Sequence, residues 1–125
     1  MSQESKIRAV IQTYFECMYE SNAEKTHAAF HPSAKITGYM GETFVEMTVN
    51  QFAHVVAEQQ PSARDQGLPP RLDVLSVQIA GSTAVARVRD DFLGNTYLDT
   101  LSFVEVDDAW VIYNKLFHIE GPAKD

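Results

Sequence analysis

The chain has 125 residues, a mass of 14.0 kDa and a formal net charge of −7 at pH 7. An acidic chain with scattered lysines and arginines is poorly suited to nucleic acid or an anionic membrane, so we expect neither as a partner. We expect one domain over residues 1–125, because a chain of this length with 45% hydrophobic residues can form a core without disulfides.

Two further observations bear on the cellular compartment. Cys17 is the only cysteine, which excludes an internal disulfide and fits a reducing environment. The N-terminus lacks the apolar segment of a signal peptide, and no apolar stretch reaches the length of a membrane-spanning helix. We therefore expect a cytoplasmic protein.

The N-terminal half of the chain begins with two predicted helices. Apolar residues recur at helical spacing over residues 4–20. Ser21 and Glu24 predict a capping box for a shorter helix over residues 22–30. Pro32 disfavours the helical conformation of the residue before it, so the second helix should end there.

A hairpin, a third helix and a long loop follow. Alternation over Ala34–Tyr39 and Glu42–Met47 predicts the hairpin, and Thr48 with Gln51 predicts the capped start of the third helix. Three prolines and one glycine make residues 60–70 irregular, and a loop of this length suits a lid over a pocket.

The C-terminal half predicts four long antiparallel strands, Arg71–Ala80, Ser82–Leu93, Thr96–Val106 and Ala109–Ile119. Their turns fall at Gly81-Ser82, Gly94-Asn95 and Asp107-Asp108. Helices on one face of an antiparallel sheet define an α+β fold. Because long sheets twist, we expect a cone, in which a curved sheet carries the three helices on its concave face and encloses a tapered cavity.

Two-residue turns predict which side chains face the helices. The polar members of that inner face are Asp90, Tyr97, Asp99, Asn114 and His118. The apolar members are Leu75, Val77, Ile79, Ala86, Val88, Phe92, Leu101, Phe103, Trp110, Ile112 and Leu116. The same register sets Asp90 opposite Asp99, Leu101 opposite Asn114, and Tyr97 opposite His118. Polar groups on a covered apolar face indicate a small-molecule pocket, because an unpartnered buried carboxylate is costly.

The two facing carboxylates are the candidate catalytic feature. Like charge and burial should raise the pKa of at least one of them, which suits general acid or base chemistry. We expect Asp99 to transfer a proton and His118 to relay it. Tyr97 and Asn114 would hydrogen-bond a carbonyl or enolate oxygen of the ligand.

Structural interpretations of the same residues stay open. Asp90 and Asp99 could lie at the solvated rim of the sheet, where a bulge near Gly94 would turn one of them outward. A one-residue change of phase would turn Asp91 inward in place of Asp90, and His118 could lie on the surface. The residues expected to line the cavity, which could equally be ordinary core, are Tyr14, Met18, Tyr39, Met47, Phe52 and Leu101.

Neither a metal nor a cofactor is expected. His27 and His31 have the spacing of a metal site on one helix face, but no third ligand accompanies them. The sequence also lacks a phosphate-binding loop, a dinucleotide fingerprint and a nucleophile elbow.

Three segments resemble motifs of a known superfamily: Ala29–Ala34, Tyr97–Phe103 and Trp110–His118. Together they resemble the Putative lumazine-binding branch of the nuclear-transport-factor-2-like superfamily, near the SnoaL-like and ketosteroid-isomerase-like proteins. The resemblance implies an α+β cone with a deep apolar cavity, and usually a dimer formed through the sheet. Asp99 and His118 are the positions that match recurring motif residues, and catalytic relatives commonly hold such groups inside the cone.

Three roles follow for a chain of this kind. The first is a cofactor-independent isomerase, dehydratase or cyclase that uses acid–base chemistry at Asp99 on a small apolar or aromatic ligand. The second is a non-catalytic binding module for an aromatic or heterocyclic metabolite. The third is a structural partner whose outer sheet face matters most. That face carries an apolar stripe that predicts a homodimer, formed by Val111, Tyr113, Lys115, Phe117 and Ile119.

Overall fold

A computed structural model of the chain describes residues 2–124. Its helices are α1 (Gln3–Tyr19), α2 (Ala23–Ala29) and α3 (Val49–Ala57). Its strands are β1 (Phe30–Met40), β2 (Thr43–Thr48), β3 (Leu72–Ala80), β4 (Thr83–Phe92), β5 (Asn95–Val106) and β6 (Ala109–Pro122). The predicted order of elements is confirmed, and the predicted hairpin lengthens because β1 begins directly after α2.

The six strands form one sheet in the order β2-β1-β6-β5-β4-β3. Every neighbouring pair is antiparallel except β1 and β6, which run parallel. The N-terminal hairpin therefore extends the meander at its last strand, and β6 lies near the middle of the sheet. All three helices pack on strands of this sheet, which confirms the α+β class with helices on one face.

The helix caps are predicted correctly for α3 and incorrectly for α2. Thr48 and Gln51 form the reciprocal capping box expected at the start of α3. The cap of α2 is Asn22, whose side chain accepts from the Lys25 backbone N–H. Ser21 instead takes a left-handed conformation, with φ 53°, and its hydroxyl donates to a backbone carbonyl.

The β4–β5 hairpin turns one residue earlier than predicted, and this shifts the register by two residues. Phe92 pairs with Asn95, so the loop residues are Leu93 and Gly94. Asp90 consequently lies opposite Tyr97, and the prediction that it faces Asp99 is wrong. A shift of two leaves every side chain on its predicted face, because strand side chains alternate with a period of two.

The β5–β6 hairpin contains a bulge that the alternation pattern did not reveal. Phe103 pairs with Ile112 as predicted, but Ser102 pairs with Asn114, so Tyr113 is an extra residue on β6. One extra residue exchanges the two faces of the strand beyond it. Asn114 therefore does not lie opposite Leu101.

The exchange corrects the predicted faces of β6. Lys115 and Phe117, predicted outside, are buried, and Lys115 lies opposite Leu101. Leu116 and His118, predicted inside, are exposed. Ile119 packs against the core, so most of the outer stripe that predicted a homodimer faces inward.

A second bulge, in β3, changes the edge of the inner face. The pairing with β4 shifts between Val74 and Ser76, so Leu75 is the extra residue and is 48% exposed. Ile79 is also exposed, because it lies near the open end of the edge strand. Val74 and Val77 are partly buried and pack against the core, so only Val77 of the predicted β3 set contributes to it.

Candidate buried carboxylate and lysine site

The first contact in the site joins α1 to the middle of the sheet. The Tyr14 hydroxyl donates to Asp99 Oδ2 at 2.6 Å, and both side chains are fully buried. Tyr14 falls on the buried stripe of α1, and Asp99 points inward because its strand alternates. Burial raises the pKa of Tyr14 well above its ordinary value, and the nearby Asp90 and Asp99 carboxylates raise it further. The hydroxyl therefore stays protonated and acts as a hydrogen-bond donor.

Asp90 supplies a second carboxyl group that is 1% exposed. Among residues 2–124, no other group donates to either of its oxygens or to Asp99 Oδ1. The two carboxyl groups are close enough for a proton on Asp90 to form a hydrogen bond with Asp99. Burial raises the pKa of Asp90 well above the ordinary value, and the Asp99 charge raises it further, whereas Lys115 opposes the shift. The predicted raised carboxyl is therefore Asp90, and the two aspartates act on each other although they are not directly paired across the strands.

Lys115 is the third charged residue of the site and is 3% exposed. Its Nζ lies 4.9 Å from the centre of the Tyr14 ring and 4.5 Å from that of Phe52. It also lies 3.9 Å from Met18 Sδ. Among residues 2–124, Lys115 hydrogen-bonds to neither Asp90 nor Asp99. An amine surrounded by ring faces and a thioether is held by weak, polarisable contacts.

An apolar cavity of about 200 Å³ reaches this amine. Its walls come from α3, the β4–β5 turn and every strand except β3. They comprise Ile36, Met40, Val45, Met47, Phe52, Val55, Phe92, Leu93, Tyr97, Lys115 and Phe117. Lys115 is the one charged residue in this described lining. Asp90 and Asp99 are not part of the lining, so a ligand in the cavity meets Lys115 first.

A larger cavity of about 500 Å³ lies between α1, the β4–β5 turn and residues 59–71. The Tyr19 hydroxyl donates to the Leu68 carbonyl at 2.6 Å, which ties this loop to α1. None of Asp90, Asp99 and Lys115 lines the larger cavity. We therefore place the candidate site at the smaller cavity, and a lid role for the loop remains a prediction.

The predicted site residues divide into two groups. The structure brings together those predicted correctly to face inward: Tyr14, Met18, Phe52, Asp90, Tyr97, Asp99 and Leu101, all of which are buried. It places the other three elsewhere. Tyr39 is 58% exposed and packs on Phe44, while Asn114 donates to the Lys35 carbonyl from the outer side of the bulge. His118 is exposed, so it cannot relay protons to Asp99.

Lys115 is the residue of the candidate site that the sequence interpretation missed. The spacing of the apolar residues along β6 indicated the bulge. Trp110 and Ile112 occupy even-numbered positions, whereas Phe117 and Ile119 occupy odd-numbered positions, yet all four pack toward the core. Only a one-residue bulge between them satisfies both pairs, and that bulge turns Lys115 inward.

The arrangement combines proton donors, proton acceptors and an amine in an enclosed, largely apolar space. Asp90 can hold or release a proton, Tyr14 orients Asp99, and Lys115 presents positive charge or a nucleophilic nitrogen to the cavity. Because these side chains are buried, each electrostatic interaction between them is stronger than it would be in water. Such a set can polarise a carbonyl group and move a proton at the adjacent carbon.

Comparisons with known proteins agree with this architecture. The profile of the Putative lumazine-binding family matches residues 2–118. The aldolase FrzH of Cladobotryum sp is 26% identical over 117 residues, which cover 91% of each chain.

Solved structures share the fold at low identity. An NTF2-like protein of unknown function from Silicibacter pomeroyi DSS-3 aligns with a TM-score of 0.85 at 18% identity, over 96% of this chain and 100% of its own. An NTF2-like protein of unknown function from Methylobacillus flagellatus KT aligns at 0.83 and 23% identity, over 97% and 96%. These likenesses show the nuclear-transport-factor-2-like fold. Within residues 2–124, no helix has both the length and the hydropathy needed to cross a membrane.

Proposed function

The chain belongs to the Putative lumazine-binding family, with a nuclear-transport-factor-2-like fold, and we propose that it is a small enzyme that moves protons beside a carbonyl group without a cofactor. The substrate is small and largely apolar, because the cavity of about 200 Å³ is below the roughly 300–1,000 Å³ of pockets for drug-sized ligands. Isomerisation, dehydration, cyclisation and aldol cleavage all share such a proton transfer.

One observation carries the proposal: within the described residues 2–124, three buried oxygens of Asp90 and Asp99 receive no hydrogen bond from any other group. An unpaired buried polar group costs about 1–3 kcal/mol, so two such carboxyl groups in a domain of this size are an expensive feature. A structural core would satisfy these oxygens or replace them with apolar groups. Carboxyl groups that exchange protons with a ligand account for the cost, because a transient partner needs free acceptor atoms.

The positions of the side chains suggest a separate catalytic role for each of the three charged residues. Lys115 faces the cavity and would draw electron density from the substrate carbonyl oxygen. Asp99, oriented by Tyr14, would remove or return the proton at the adjacent carbon, and Asp90 would hold the proton between steps. Lys115 is held by weak contacts alone, so a rotation of its flexible side chain would join the cavity to the carboxyl groups.

The curated relative supports the class of reaction. FrzH is described as an aldolase, and aldol chemistry forms or breaks a carbon–carbon bond beside a carbonyl. At 26% identity the likeness extends over nearly the whole chain, so it supports the general chemistry and leaves the substrate open.

A ligand that copurifies with the protein would test this proposal. We would extract it from wild-type and Asp99→Asn protein, identify it by mass spectrometry, and then return it to ligand-free protein. The enzyme proposal expects the wild type to convert the compound and Asp99→Asn to bind it unchanged. A compound that both proteins bind and neither alters would contradict it.

A non-catalytic binding module is the second candidate. It is favoured by the apolar walls of the cavity, which offer Phe52, Tyr97 and Phe117 to a flat aromatic or heterocyclic ring. Under this proposal Lys115 would select an electron-rich or anionic edge of the ligand. The copurifying compound tests this candidate as well. Asp99→Asn would bind the compound more weakly than the wild type does, and neither protein would form a product.

We also propose a cytoplasmic homodimer. The outer face of β6 still carries two exposed apolar side chains, Tyr113 at 44% and Leu116 at 49% exposure. Face-to-face packing of two sheets across a two-fold axis would cover both side chains.

A further inference from the structure

We propose that Lys115 is a covalent catalyst that forms an imine with an aldehyde or ketone substrate. The inference rests on the proposed function, because it names the substrate class and the covalent step at the same site. Its basis is a single juxtaposition: an amine that lines an apolar cavity, surrounded by rings and a thioether, with the buried Asp90 carboxyl group near enough for the two charges to interact.

The surroundings of Lys115 differ from those of a structural lysine. A buried lysine usually gains a salt bridge or several hydrogen bonds, because three donor hydrogens are costly to leave unmet. Here Nζ has the Met18 sulfur at 3.9 Å and the faces of Tyr14 and Phe52. These contacts hold the amine in place and leave its lone pair free once a proton is lost. A desolvated lysine of this kind is suited to attack on a carbonyl carbon.

The proton that the amine must lose has an acceptor within the site. Asp90 is buried, receives no hydrogen bond from another group among residues 2–124, and has a pKa raised by burial while the Lys115 charge opposes that rise. A proton that leaves the ammonium can be stored on the Asp90 carboxylate, which converts the two charges into a neutral amine and a neutral acid.

The covalent step is balanced without a further reactant. The Nζ lone pair forms a bond to the carbonyl carbon, the carbon–oxygen π pair moves to oxygen, and a proton passes from nitrogen to oxygen to give a carbinolamine. Asp90 then returns its stored proton to the hydroxyl group, and water leaves. The nitrogen lone pair completes a protonated carbon–nitrogen double bond. In total, an ammonium and a carbonyl become an iminium and one water, and Asp90 ends as it began.

Formation of the iminium would allow a carboxyl group to transfer a proton at the adjacent carbon. Its positive charge withdraws electrons from the adjacent carbon, so a proton or a carbon–carbon bond there breaks more readily than beside a neutral carbonyl. Asp99 carries an oxygen without a donor among residues 2–124 on the same buried face, and Tyr14 fixes the orientation of that carboxyl group. The arrangement thus separates two roles: Lys115 activates the substrate and Asp99 transfers the proton.

Reductive trapping tests the inference directly. Native protein would be incubated with limiting benzaldehyde and cyanoborohydride, which delivers hydride to an iminium carbon and fixes a benzyl group on the amine. Peptide mapping by mass spectrometry would then locate the label. We expect about tenfold more label on Lys115 than on the exposed Lys35, which is the matched control on the neighbouring strand. Label on surface lysines with Lys115 unmodified would overturn the inference.

Two variants and one further probe separate the possible failures. Lys115→Met keeps an unbranched side chain of similar length in the cavity, and Lys115→Arg keeps the charge. Neither variant can form the imine, so both should lose the label from position 115.

Benzaldehyde has no hydrogen on the carbon beside its carbonyl group, so its trapping reports imine formation alone. Deuterium uptake by cyclohexanone on the same preparation reports proton transfer. Deuterium uptake that persists in Lys115→Arg would overturn the imine and leave the proposed function standing, whereas trapping without any deuterium uptake would overturn the proposed function instead.

Discussion

The Tyr14 hydroxyl and the Asp99 carboxylate meet at 2.6 Å, although 85 positions separate them in the chain. This contact ties the first helix to the fifth strand inside the core. It leaves one Asp99 oxygen with a donor, whereas the other has no donor among residues 2–124. One side of the carboxyl group is thereby fixed, and the other is buried without a donor.

Tyr14→Phe should destabilise the protein and reduce its activity together. The substitution leaves both Asp99 oxygens unpaired, which should cost about 1–3 kcal/mol of unfolding free energy, measured by urea denaturation. Tyr39→Phe is the matched control, because Tyr39 is 58% exposed and lies outside the site. Equal stability of the two variants would show that the hydrogen bond contributes nothing.

Asp90→Asn should stabilise the protein increasingly as the pH rises. In the folded chain the pKa of Asp90 is raised by burial and by the Asp99 charge, whereas the unfolded carboxyl ionises near the ordinary value of about 3.9. As the pH rises above about 4, the unfolded state loses its proton first, so the wild type loses stability until the pH passes the folded pKa. The melting temperature of the variant should therefore exceed that of the wild type by more at pH 7 than at pH 4.

The exposed Asp73 offers the control for that experiment. Asp73→Asn removes a carboxyl group that is exposed instead of buried, so the pH dependence specific to Asp90→Asn is the difference between the two variants. A constant offset for Asp90→Asn across the same range would contradict the raised pKa and the burial that causes it.

Gly38→Ala should destabilise the parallel contact between β1 and β6. A Cβ at this position would overlap the backbone oxygen of Phe117 and lie 2.7 Å from two carbons of its ring. Because backbone atoms cannot move aside cheaply, we expect a cost of about 1–3 kcal/mol, measured by thermal or urea unfolding. Lys35→Ala on the same strand is exposed and should cost far less. A Gly38→Ala variant as stable as the wild type would require a wider spacing between these strands.

Leu116→Asp should shift the proposed homodimer toward monomer. Leu116 is 49% exposed on a strand near the middle of the sheet, and a carboxylate placed in a dimer interface would be desolvated. Sedimentation velocity over a range of concentrations would measure the shift. Leu68→Asp is the matched control, since Leu68 is similarly exposed at 44% but lies in the loop before β3. A wild-type chain that stays monomeric at micromolar concentration would contradict the dimer.

The order of elements and the inner face of two strands followed from the sequence. Turn dipeptides and alternation placed Asp90 and Asp99 inside, and a turn displaced by one residue changed their partners without changing their faces. Local patterns contain this information because strand side chains alternate with a fixed period. They do not contain the parallel pairing of β1 with β6, which depends on contacts between distant segments.

The errors on the last strand have one physical origin. The extra residue at Tyr113 changes the phase of β6, so His118 left the predicted site and Lys115 entered it. A bulge is favoured by packing over the whole sheet, whereas simple alternation assumes an unbroken ladder. The local sign of such a bulge is that buried apolar residues change from even-numbered to odd-numbered positions within one strand, as they do between Ile112 and Phe117.

Deuterium uptake by cyclohexanone in heavy water, followed by NMR, tests the central claim most directly. The account predicts that wild-type protein accelerates exchange at the carbon beside the carbonyl. Asp99→Asn should reduce the protein-catalysed rate by about 100-fold or more, since positioned acid–base groups contribute about 10²–10⁴. His118→Ala, at an exposed position on the outer face, should leave the rate unchanged. Binding of cyclohexanone, seen as a rise in melting temperature, with equal exchange rates in wild type and Asp99→Asn would contradict the account.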